Sequence, residues 1–551
     1  MSGKEESRWD EEYDVIAVGS GAGGVAAAIA AAIDGARVLV VEKYHELGGV
    51  TALSAGQIWI GPTTQAREAG IEDSVEDVRA YVDFLSAGYG NTDTRDAYIR
   101  TGPRVIDELV ALGLDLQVIE KMPDYYYPTA PGSKAEGRYL EGVPFPANKL
   151  GEWEHKTISN AGVSTGGVGS NVLSNRDLIE CGGDREKLAE RGIERAARSE
   201  RAQGAGISAN LIAMALERGV EFRASTTVVE LLGTDGVDGV VVDGASGQKR
   251  IRASRGVVLA TGAYDWNPEL METFEYVRNL YSVVLPTVTG DHFKLASRFR
   301  AAIGTTLPQG KSTHLGIHIP GEEWGGRKMY RHMFPGMPHT VVVNRKGRRF
   351  GDESFFHSYV AALYTFDGDK QDFPNWPAWM VFDEEFRRKY NLGPLAAGAP
   401  MPEGMAITAD TIENLAEAAG IDVEGLSETI TRFNQAADSG VDDEFGRGSR
   451  PWSRLSAGDP AMKPNPNIGP VSKGPFHAIK LERVNTGLAS AGLKTDEQAR
   501  VIDVDGQPIR GLHAVGNTAA RLEFGAGYNS GMAVGRSLVF GYLSGKSLMA
   551  G

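Results

Sequence analysis

Three glycines near the start of the chain have the spacing of a turn that binds phosphate groups. Gly19, Gly21 and Gly24 form the pattern G-x-G-x-x-G, and Glu42 follows further along the chain. In this pattern the first glycine allows a tight turn, the second lets the backbone approach a pyrophosphate, and the third lets a helix pack closely on its strand. An acidic residue at the distance of Glu42 accepts a hydrogen bond from a ribose hydroxyl. The four residues therefore predict a dinucleotide-binding site.

The segments on either side of the glycines are those that such a turn requires. Residues 13–18 are mostly apolar and predict a buried parallel strand, and an alanine-rich helix is predicted over residues 25–34. A second strand is predicted over residues 36–41, directly before Glu42. This βαβ unit aims the N-terminus of its helix at the phosphates. The alternative interpretation, a glycine-rich turn without a ligand, would require neither the second strand nor the acidic residue.

The overall charge and the single cysteine exclude several classes of function. The 551 residues carry a formal charge of −15, with a pI of about 5.3. An acidic chain repels nucleic acid backbones and anionic lipid surfaces, so neither is an expected partner. Cys181 is the only cysteine, which excludes an internal disulfide and a cysteine-ligated cluster. The polar N-terminus lacks the features of a signal peptide, and no apolar stretch reaches the roughly 20 residues of a membrane span, so we expect a cytoplasmic protein.

The middle of the chain differs in character from its two ends. Residues 276–460 contain many of the Trp and Phe residues and several His residues, and they predict an α+β domain. From about residue 468 the pattern of strand, glycine turn and helix returns. We therefore predict a nucleotide-binding domain made of residues 1–275 and 468–551, with a substrate domain over residues 276–467 inserted between the two segments.

A second motif directly follows the βαβ unit. The run from Glu42 to Gly49 is followed by Thr51 and by the segment Ser54-Ala-Gly56. It resembles the segment E-K-x(3–4)-G-G-x-[ST] that wraps the flavin in the flavoprotein subunits of fumarate reductases and succinate dehydrogenases. The resemblance, which includes residues 259–262 and 511–517, implies FAD rather than NAD. It also implies an α/β fold, with a Rossmann-type, glutathione reductase-like FAD-binding domain and an inserted α+β capping domain.

The same resemblance identifies the candidate residues of the flavin site. The covalent flavin linkage of succinate dehydrogenases uses a histidine in a local pattern that residues 51–54 lack, so we expect noncovalent FAD. The candidate cofactor-binding residues are Gly19, Gly21, Ala22, Gly23, Gly24, Glu42, Lys43, Gly48, Gly49, Thr51, Ser54, Gly56, Val228, Ala260, Thr261, Gly262, Asp291, Gly516 and Asn517.

Five further blocks resemble the 3-ketosteroid dehydrogenases of that superfamily. The blocks are residues 124–132, 377–383, 432–434, 463–470 and 474–478. The Δ1 type of these enzymes carries Y-P-G-P-G after the last flavin glycine, whereas residues 525–531 are G-A-G-Y-N-S-G and resemble the G-Y-x-S-G of the Δ4-(5α) type. Relatives that act on smaller rings, such as cyclohexanone-type dehydrogenases, are a third alternative. The resemblance implies a small apolar ketone as substrate, and it leaves the electron acceptor unknown.

The implied reaction needs groups that remove a proton next to the ketone while a hydride passes to flavin N5. The enolate must be stabilised, and we expect the N–H of Gly531 and a tyrosine hydroxyl to bind its oxygen. Tyr528 or Ser530 is the candidate proton acceptor, by resemblance to the Δ4-(5α) type. Tyr330 is the candidate supporting tyrosine, because it precedes a Phe-Pro-Gly segment as the family's tyrosine precedes its Pro-Gly. The alternative is that Ser530 caps a helix and both tyrosines only pack.

Other polar residues also have a structural interpretation beside the functional one. Tyr126 and Tyr127, together with Tyr125, are candidates for contact with the substrate, and the alternative is that they pack on neighbouring prolines. The histidines of the middle region form no recognisable metal-binding motif, so we expect no metal. These histidines are His292, His314, His318, His332, His339 and His357.

Two further functions are open on the sequence alone. A fumarate-reductase-like enzyme would reduce activated double bonds and clamp carboxylates with Arg and His groups, and Arg521 lies near the predicted site. The tyrosine-rich segment 125–139 favours an uncharged ketone instead. The second alternative is a flavin-binding protein without turnover, against which the intact glycines, Tyr528 and Ser530 argue.

Overall fold

A computed structural model describes residues 9–159, 172–307 and 313–550. The chain has a mixed α/β fold, which confirms the α/β class predicted from the sequence. The strands are β1 Glu11–Val18, β2 Val38–Val41, β3 Gln57–Trp59, β4 Leu116–Val118, β5 Tyr139–Gly142, β6 Phe145–Pro146, β7 Glu200–Arg201, β8 Glu221–Arg223, β9 Thr227–Leu232, β10 Gly239–Gly244, β11 Gly247–Leu259, β12 Leu280–Ser282, β13 Ile303–Thr305, β14 Thr313–Trp324, β15 Arg327–Met333, β16 Thr340–Asn344, β17 Ala378–Asp383, β18 Ile407–Ala409, β19 Phe476–Lys480, β20 Glu482–Asn485, β21 Ala491–Leu493, β22 Arg500–Ile502 and β23 Pro508–Ala514.

The helices include two long ones, α5 and α16, and many short ones. They are α1 Ala22–Ala32, α2 Gly49–Leu53, α3 Thr64–Glu68, α4 Val75–Ser86, α5 Thr92–Ala111, α6 Asn175–Glu180, α7 Arg185–Ala197, α8 Gln203–Glu217, α9 Pro268–Glu275, α10 Asp291–Ser297, α11 Phe356–Leu363, α12 Glu384–Lys389, α13 Ile412–Ala419, α14 Val423–Ser439, α15 Pro451–Ala457 and α16 Met532–Ala550. Within the described ranges, no helix combines the length and the apolar composition needed to cross a bilayer.

The largest sheet carries the predicted βαβ unit. Its strands follow the order β22-β23-β11-β1-β2-β8. The strand β1 is parallel to β11 and β2, β2 is parallel to β8, and β11 is parallel to β23. The apolar run predicted as a buried strand is the buried end of β1, and α1 connects β1 to β2. The carboxyl ends of four parallel strands, β1, β2, β11 and β23, therefore meet at one edge of the sheet.

Two further sheets are built mainly from the middle of the chain. Their strand orders are β12-β20-β14-β15 and β16-β17-β19-β18. The strands β19 and β20 come after residue 468, yet β19 pairs with β17 and β20 pairs with β14. The return to the large sheet therefore begins with β22 and not at residue 468, where the change of sequence pattern was expected to mark it. The cause is that backbone pairing joins β19 and β20 to sheets whose other strands lie earlier in the chain.

The last helix, α16, packs very closely against α1. A Cβ atom at Gly541 would lie 2.4 Å from the carbonyl oxygen of Gly23, and one at Gly545 would lie 2.4 Å from the carbonyl oxygen of Ala27. Only the small residues of both helices allow the two backbones to come this close. The contact fixes α1, which begins within the predicted glycine motif.

Candidate active site

A cavity of about 300 Å³ lies at the carboxyl edge of the parallel sheet. Its lining begins where the strands end. Residues 18–23 lie at the end of β1, 41–43 at the end of β2, 260–263 at the end of β11 and 515–517 at the end of β23. Open parallel sheets bind their ligands at this edge. The lining continues to residues between 528 and 534 at the start of α16. The first and last parts of the chain thus contribute to one site.

Two glycines of the predicted turn have no space for a side chain. Gly19 has a φ of +112°, and a Cβ atom there would lie 2.2 Å from the carbonyl oxygen of Ala260. A Cβ atom at Gly24 would lie 2.1 Å from the carbonyl oxygen of Gly19. Gly21 and Gly23 line the cavity, whereas Gly24 lies behind it. The third glycine therefore serves the packing of helix on strand, as the motif predicts.

The Glu42 carboxylate ties the glycine turn to the neighbouring backbone. Its Oε2 accepts hydrogen bonds from the N–H and the hydroxyl of Ser20 at 2.9 and 2.7 Å, and its Oε1 accepts one from the N–H of Tyr44 at 2.8 Å. The Ser20 hydroxyl in turn accepts a hydrogen bond from the N–H of Gly48 at 2.9 Å. Glu42 also lines the cavity. It thus has a structural role that the sequence did not indicate, and its ribose contact stays a prediction.

Three more of the predicted residues make contacts that shape the cavity wall. Lys43 forms an ion pair with Asp291, with 2.9 Å between Nζ and Oδ2, and both side chains are about one-third exposed. The Thr51 hydroxyl accepts a hydrogen bond from the N–H of Ala22 at 3.1 Å. This bond holds α2 against the first turn of α1.

The residues present fit the group that the sequence implies, FAD. Gly21 is the N-cap of α1 and has no side chain to cap it, so backbone N–H groups of the first turn are left for an anion such as a pyrophosphate. Gly24 and Gly48 do not line the cavity. The predicted cofactor residues that do line it are Gly19, Gly21, Ala22, Gly23, Glu42, Lys43, Gly49, Thr51, Ser54, Gly56, Val228, Ala260, Thr261, Gly262, Asp291, Gly516 and Asn517.

The same cavity includes a group of aromatic and hydroxyl side chains, here called the aromatic pocket. Tyr528, Ser530 and Gly531 were predicted from the sequence, and Tyr125 was one of three tyrosines between which the sequence left the choice open. Ring contacts connect the others, with 4.7 Å between the centroids of His314 and Phe356. The aromatic pocket consists of Tyr125, His314, His332, Phe334, Phe356, Tyr528, Ser530 and Gly531.

Among the three loop tyrosines, Tyr125 is the one that lines the cavity. Its N–H donates a hydrogen bond to Oδ1 of Asn529 at 3.0 Å, and its hydroxyl is hydrogen-bonded to Ser530. Its ring centroid lies 4.3 Å from that of Trp452. The loop is therefore fixed directly to the segment that carries Tyr528.

Tyr126 and Tyr127 lie outside the cavity lining, and Tyr125 replaces them as the candidate for substrate contact. The Tyr126 ring instead packs 5.3 Å from the Phe84 ring and 5.2 Å from the Phe355 ring. Consecutive tyrosines point in different directions, and only the packing around the loop decides which of them faces the cavity.

Tyr330 also lies outside the lining, and His332 stands where the supporting tyrosine was expected. The Tyr330 ring stacks on the Tyr281 ring, with 4.1 Å between centroids and 12° between planes. Residues alternate between the two faces of a strand, so Tyr330 and His332 share a face of β15, two residues apart. Tyr330, the residue indicated by the sequence, thus lies on the strand face of His332 but two positions away from the residue that lines the cavity. His314 and His332 were missed because no metal motif or carboxylate marks them.

Burial sets the protonation states in the aromatic pocket. It raises the pKa of Tyr528 to about 12, against the opposing effect of the Arg521 guanidinium. Burial raises the pKa of Tyr125 well above its usual range and lowers the pKa of His314 well below its usual range. It lowers the pKa of His332 to about 4. At neutral pH the hydroxyls are therefore protonated donors and the imidazoles are neutral.

Formal charge is confined to one region of the cavity. Among the described lining residues the charged side chains are Glu42, Lys43 and Asp291, all of them beside the glycine turn or the predicted cofactor contacts. Within the described part of the chain, no group of three or more His, Cys, Asp or Glu residues could hold a metal ion. The aromatic pocket thus offers hydrogen bonds and apolar surface to a ligand without formal charge.

Comparisons with known proteins agree with this site. The chain is 31% identical to a 3-oxosteroid 1-dehydrogenase of Mycolicibacterium smegmatis, over 98% of either chain. It is 33% identical to a 4-oxocyclohexanecarboxylate 2-dehydrogenase of Sinomonas cyclohexanicum, over 97% of this chain and 92% of that protein. The structure of a 3-ketosteroid Δ1-dehydrogenase from Sterolibacterium denitrificans, in complex with 1,4-androstadiene-3,17-dione, matches with a TM-score of 0.87 and 29% identity, covering 98% of this chain and 100% of that chain.

A family model extends the match to the cofactor. The model described as FAD binding domain matches residues 14–533. This range contains the glycine turn, Glu42 and the whole aromatic pocket, so the resemblance seen in the sequence is confirmed. The chain belongs to the FAD binding domain family of flavin-dependent oxidoreductases.

Proposed function

We propose that this protein is an FAD-dependent dehydrogenase that introduces a C=C bond next to the carbonyl of an apolar ring ketone. The observation that carries the proposal is the uncharged aromatic pocket, which is continuous with the cavity of the FAD-binding residues. Neutral imidazoles, hydroxyls and aromatic rings suit a ketone, whereas a buried carboxylate needs a cationic partner. The relatives named as dehydrogenases of oxosteroids and of an oxocyclohexane carboxylate support the type of reaction.

The residues of the aromatic pocket have distinct parts in this reaction. Noncovalently bound FAD supplies the hydride acceptor, N5 of its ring. The N–H of Gly531 and the hydroxyl of Tyr528 donate hydrogen bonds to the ketone oxygen, where negative charge develops. Gly531 directly precedes α16, and the N-terminus of a helix favours that charge. Ser530 holds the Tyr125 hydroxyl, which places a second donor beside the first.

The proposal also specifies which ring ketone is the substrate and which bond is oxidised. The segment 525–531 favours Δ4-(5α) chemistry on a 3-ketosteroid, and Δ1 chemistry or a smaller ring ketone are the alternatives to be tested. A fumarate-reductase-like reaction would need a cation at the substrate. Arg521 is buried and is not among the described residues that line the cavity, which weighs against that reaction.

The proposal is tested by anaerobic loss of the flavin's visible absorption. The purified protein with FAD would be mixed with a 5α-saturated 3-ketosteroid, with a Δ4-3-ketosteroid and with cyclohexanone. We expect bleaching by the saturated steroid, since only it offers the C4–C5 bond for oxidation. Bleaching by the saturated steroid alone would support Δ4-(5α) chemistry. Bleaching by the Δ4-steroid, with or without the saturated one, would assign Δ1 chemistry, and bleaching by cyclohexanone alone would move the substrate to small rings. The absence of bleaching by all three would overturn the ketone dehydrogenase proposal.

We also propose a division of the chain that supports this reaction. A Rossmann-type, glutathione reductase-like FAD-binding domain would comprise residues 1–275 and the segment from about residue 486 to the end, with an inserted α+β capping domain between them. The pairing of β19 and β20 with strands from the middle of the chain supports the later boundary.

A further inference from the structure

Two histidines contribute to the aromatic pocket from neighbouring antiparallel strands. Gly316 of β14 is paired with His332 of β15, and Leu315 is paired with Met333. His314, two residues before Gly316, therefore lies on the same sheet face as His332. The Nε2 of His332 lies 3.1 Å from the Nδ1 of His314, and their side chains are almost completely buried.

This hydrogen bond determines which ring nitrogens of the pair are left for other partners. Each neutral imidazole has one N–H and one bare nitrogen, and the shared bond uses an N–H of one ring and a bare nitrogen of the other. The ring that donates keeps a second, bare nitrogen, and the ring that accepts keeps an N–H. The pair is thus a proton acceptor at one outer nitrogen and a proton donor at the other. A shift of the shared proton passes a proton from one ring to the other.

The groups around the pair keep it in its neutral form. Phe356 contacts His314, and the Phe334 ring centroid lies 4.4 Å from that of His332. The further titratable group that acts on His314 is His357, which carries no negative charge. The Tyr125 ring contacts His357, and its raised pKa keeps its hydroxyl neutral at neutral pH. Among the described residues no carboxylate pairs with either ring to make it cationic, so the bare nitrogen is present at neutral pH.

We propose that the His314–His332 pair is the base that removes the proton from the carbon next to the ketone, an inference that rests on the proposed function. The C–H bond breaks, its proton bonds to the bare imidazole nitrogen, and its electron pair forms the enolate. The adjacent carbon then loses a hydride to the flavin, so the substrate is oxidised and the flavin reduced by two electrons. The enolate's negative charge stabilises the imidazolium that forms across the pocket. The Tyr528 hydroxyl remains protonated and donates to the ketone oxygen.

The inference is tested with His314→Gln and His332→Gln, which keep polar side chains of similar length. Two rates would be measured in the FAD-loaded protein: flavin reduction by the ketone that bleaches the wild type, and deuterium exchange at its α-carbon in D2O. We expect both rates to fall at least about 100-fold in both variants. The flavin spectrum and the affinity for the ketone should change little. If the two histidines only shaped the pocket, the substitutions would instead alter the affinity for the ketone without stopping deuterium exchange.

His318→Gln is the matched control, because His318 lies further along the same face of β14 and does not line the cavity. It should leave both rates unchanged. If the rates of exchange and of flavin reduction in both His→Gln variants of the pair stay within 10-fold of the wild type, the inference is overturned and the proposed function stays intact. A wild-type protein that neither exchanges nor bleaches with any ketone would overturn the two together.

Discussion

At the scale of single residues, the Tyr528 hydroxyl shows how surroundings assign a chemical role. The Arg521 guanidinium carbon lies 5.6 Å from the Tyr528 ring centroid, and the positive charge favours ionisation. Burial has the larger and opposite effect and raises the pKa of Tyr528 to about 12. The hydroxyl is therefore a hydrogen-bond donor at neutral pH and a poor base. This is why the proton acceptor is sought among the imidazoles of the aromatic pocket.

Replacement of Tyr528 by Phe removes that donor while the ring keeps its packing. We expect FAD to remain bound and the rate of flavin reduction by the ketone to fall by about 10²–10³, the cost of losing one donor to an oxyanion. Stopped-flow measurement of the flavin absorption gives the rate. Tyr125→Phe should slow reduction in the same direction, whereas Tyr126→Phe is the matched control outside the cavity and should not. A Tyr528→Phe variant as fast as the wild type would exclude Tyr528 from the site.

At the scale of elements, the contact of α16 with α1 connects the two ends of the chain to one function. The helix α1 begins at the glycine turn, and α16 begins directly after Gly531. Gly541 and Gly545 let the helices touch along their backbones. The position of the predicted pyrophosphate site relative to the aromatic pocket therefore depends on two helices of small residues.

The substitution Gly541→Ala tests this contact. A Cβ atom there would lie 2.4 Å from a backbone oxygen that cannot move without α1, so we expect a Tm several degrees lower and weaker FAD binding. Calorimetry and fluorescence titration with FAD measure the two effects. Gly192→Ala in α7 is the control, because among the described residues its Cβ would meet only Val172, at 3.9 Å. It should stabilise the protein slightly, by about 0.5–1 kcal/mol. Equal effects at the two positions would contradict this account of the contact.

At the scale of the whole molecule, burial of neutral histidines makes stability depend on pH. Burial lowers the pKa of His332 to about 4, that of His513 to about 4 and that of His292 to about 3. In the unfolded chain a histidine titrates near 6.5. Between these values the unfolded state binds more protons than the folded state, so stability falls as the pH falls.

We therefore expect the Tm to decrease from pH 7 to pH 5, which scanning calorimetry in buffers of equal ionic strength would measure. The loss should begin near pH 6.5 and continue towards pH 4. His292→Asn should lower the Tm at pH 7 but show a smaller change between pH 7 and pH 5. A Tm that stays constant or rises on acidification would contradict the buried neutral state of these histidines.

Local features of the sequence determined the parts of the fold that depend on neighbouring residues. The glycine spacing and the apolar runs predicted β1, α1 and β2 in order, because a tight turn and a buried strand each have local requirements. The prediction was less accurate where partners come from elsewhere in the chain. The segment from residue 468 was expected to return to the nucleotide-binding domain, but β19 pairs with β17 and β20 pairs with β14.

The sequence by itself also determined most of the candidate cofactor site and three members of the aromatic pocket, through motifs whose residues are close in the chain. Only the tertiary structure decided that Tyr125, His314 and His332 face the cavity in place of Tyr126, Tyr127 and Tyr330. Tyr125 lies only one or two positions from Tyr126 and Tyr127, and His332 lies two positions from Tyr330, with no local signal to choose between them. The packing of the loop that carries Tyr125 and the pairing of β14 with β15 make that choice. They fix which side chains face the cavity at the edge of the large sheet.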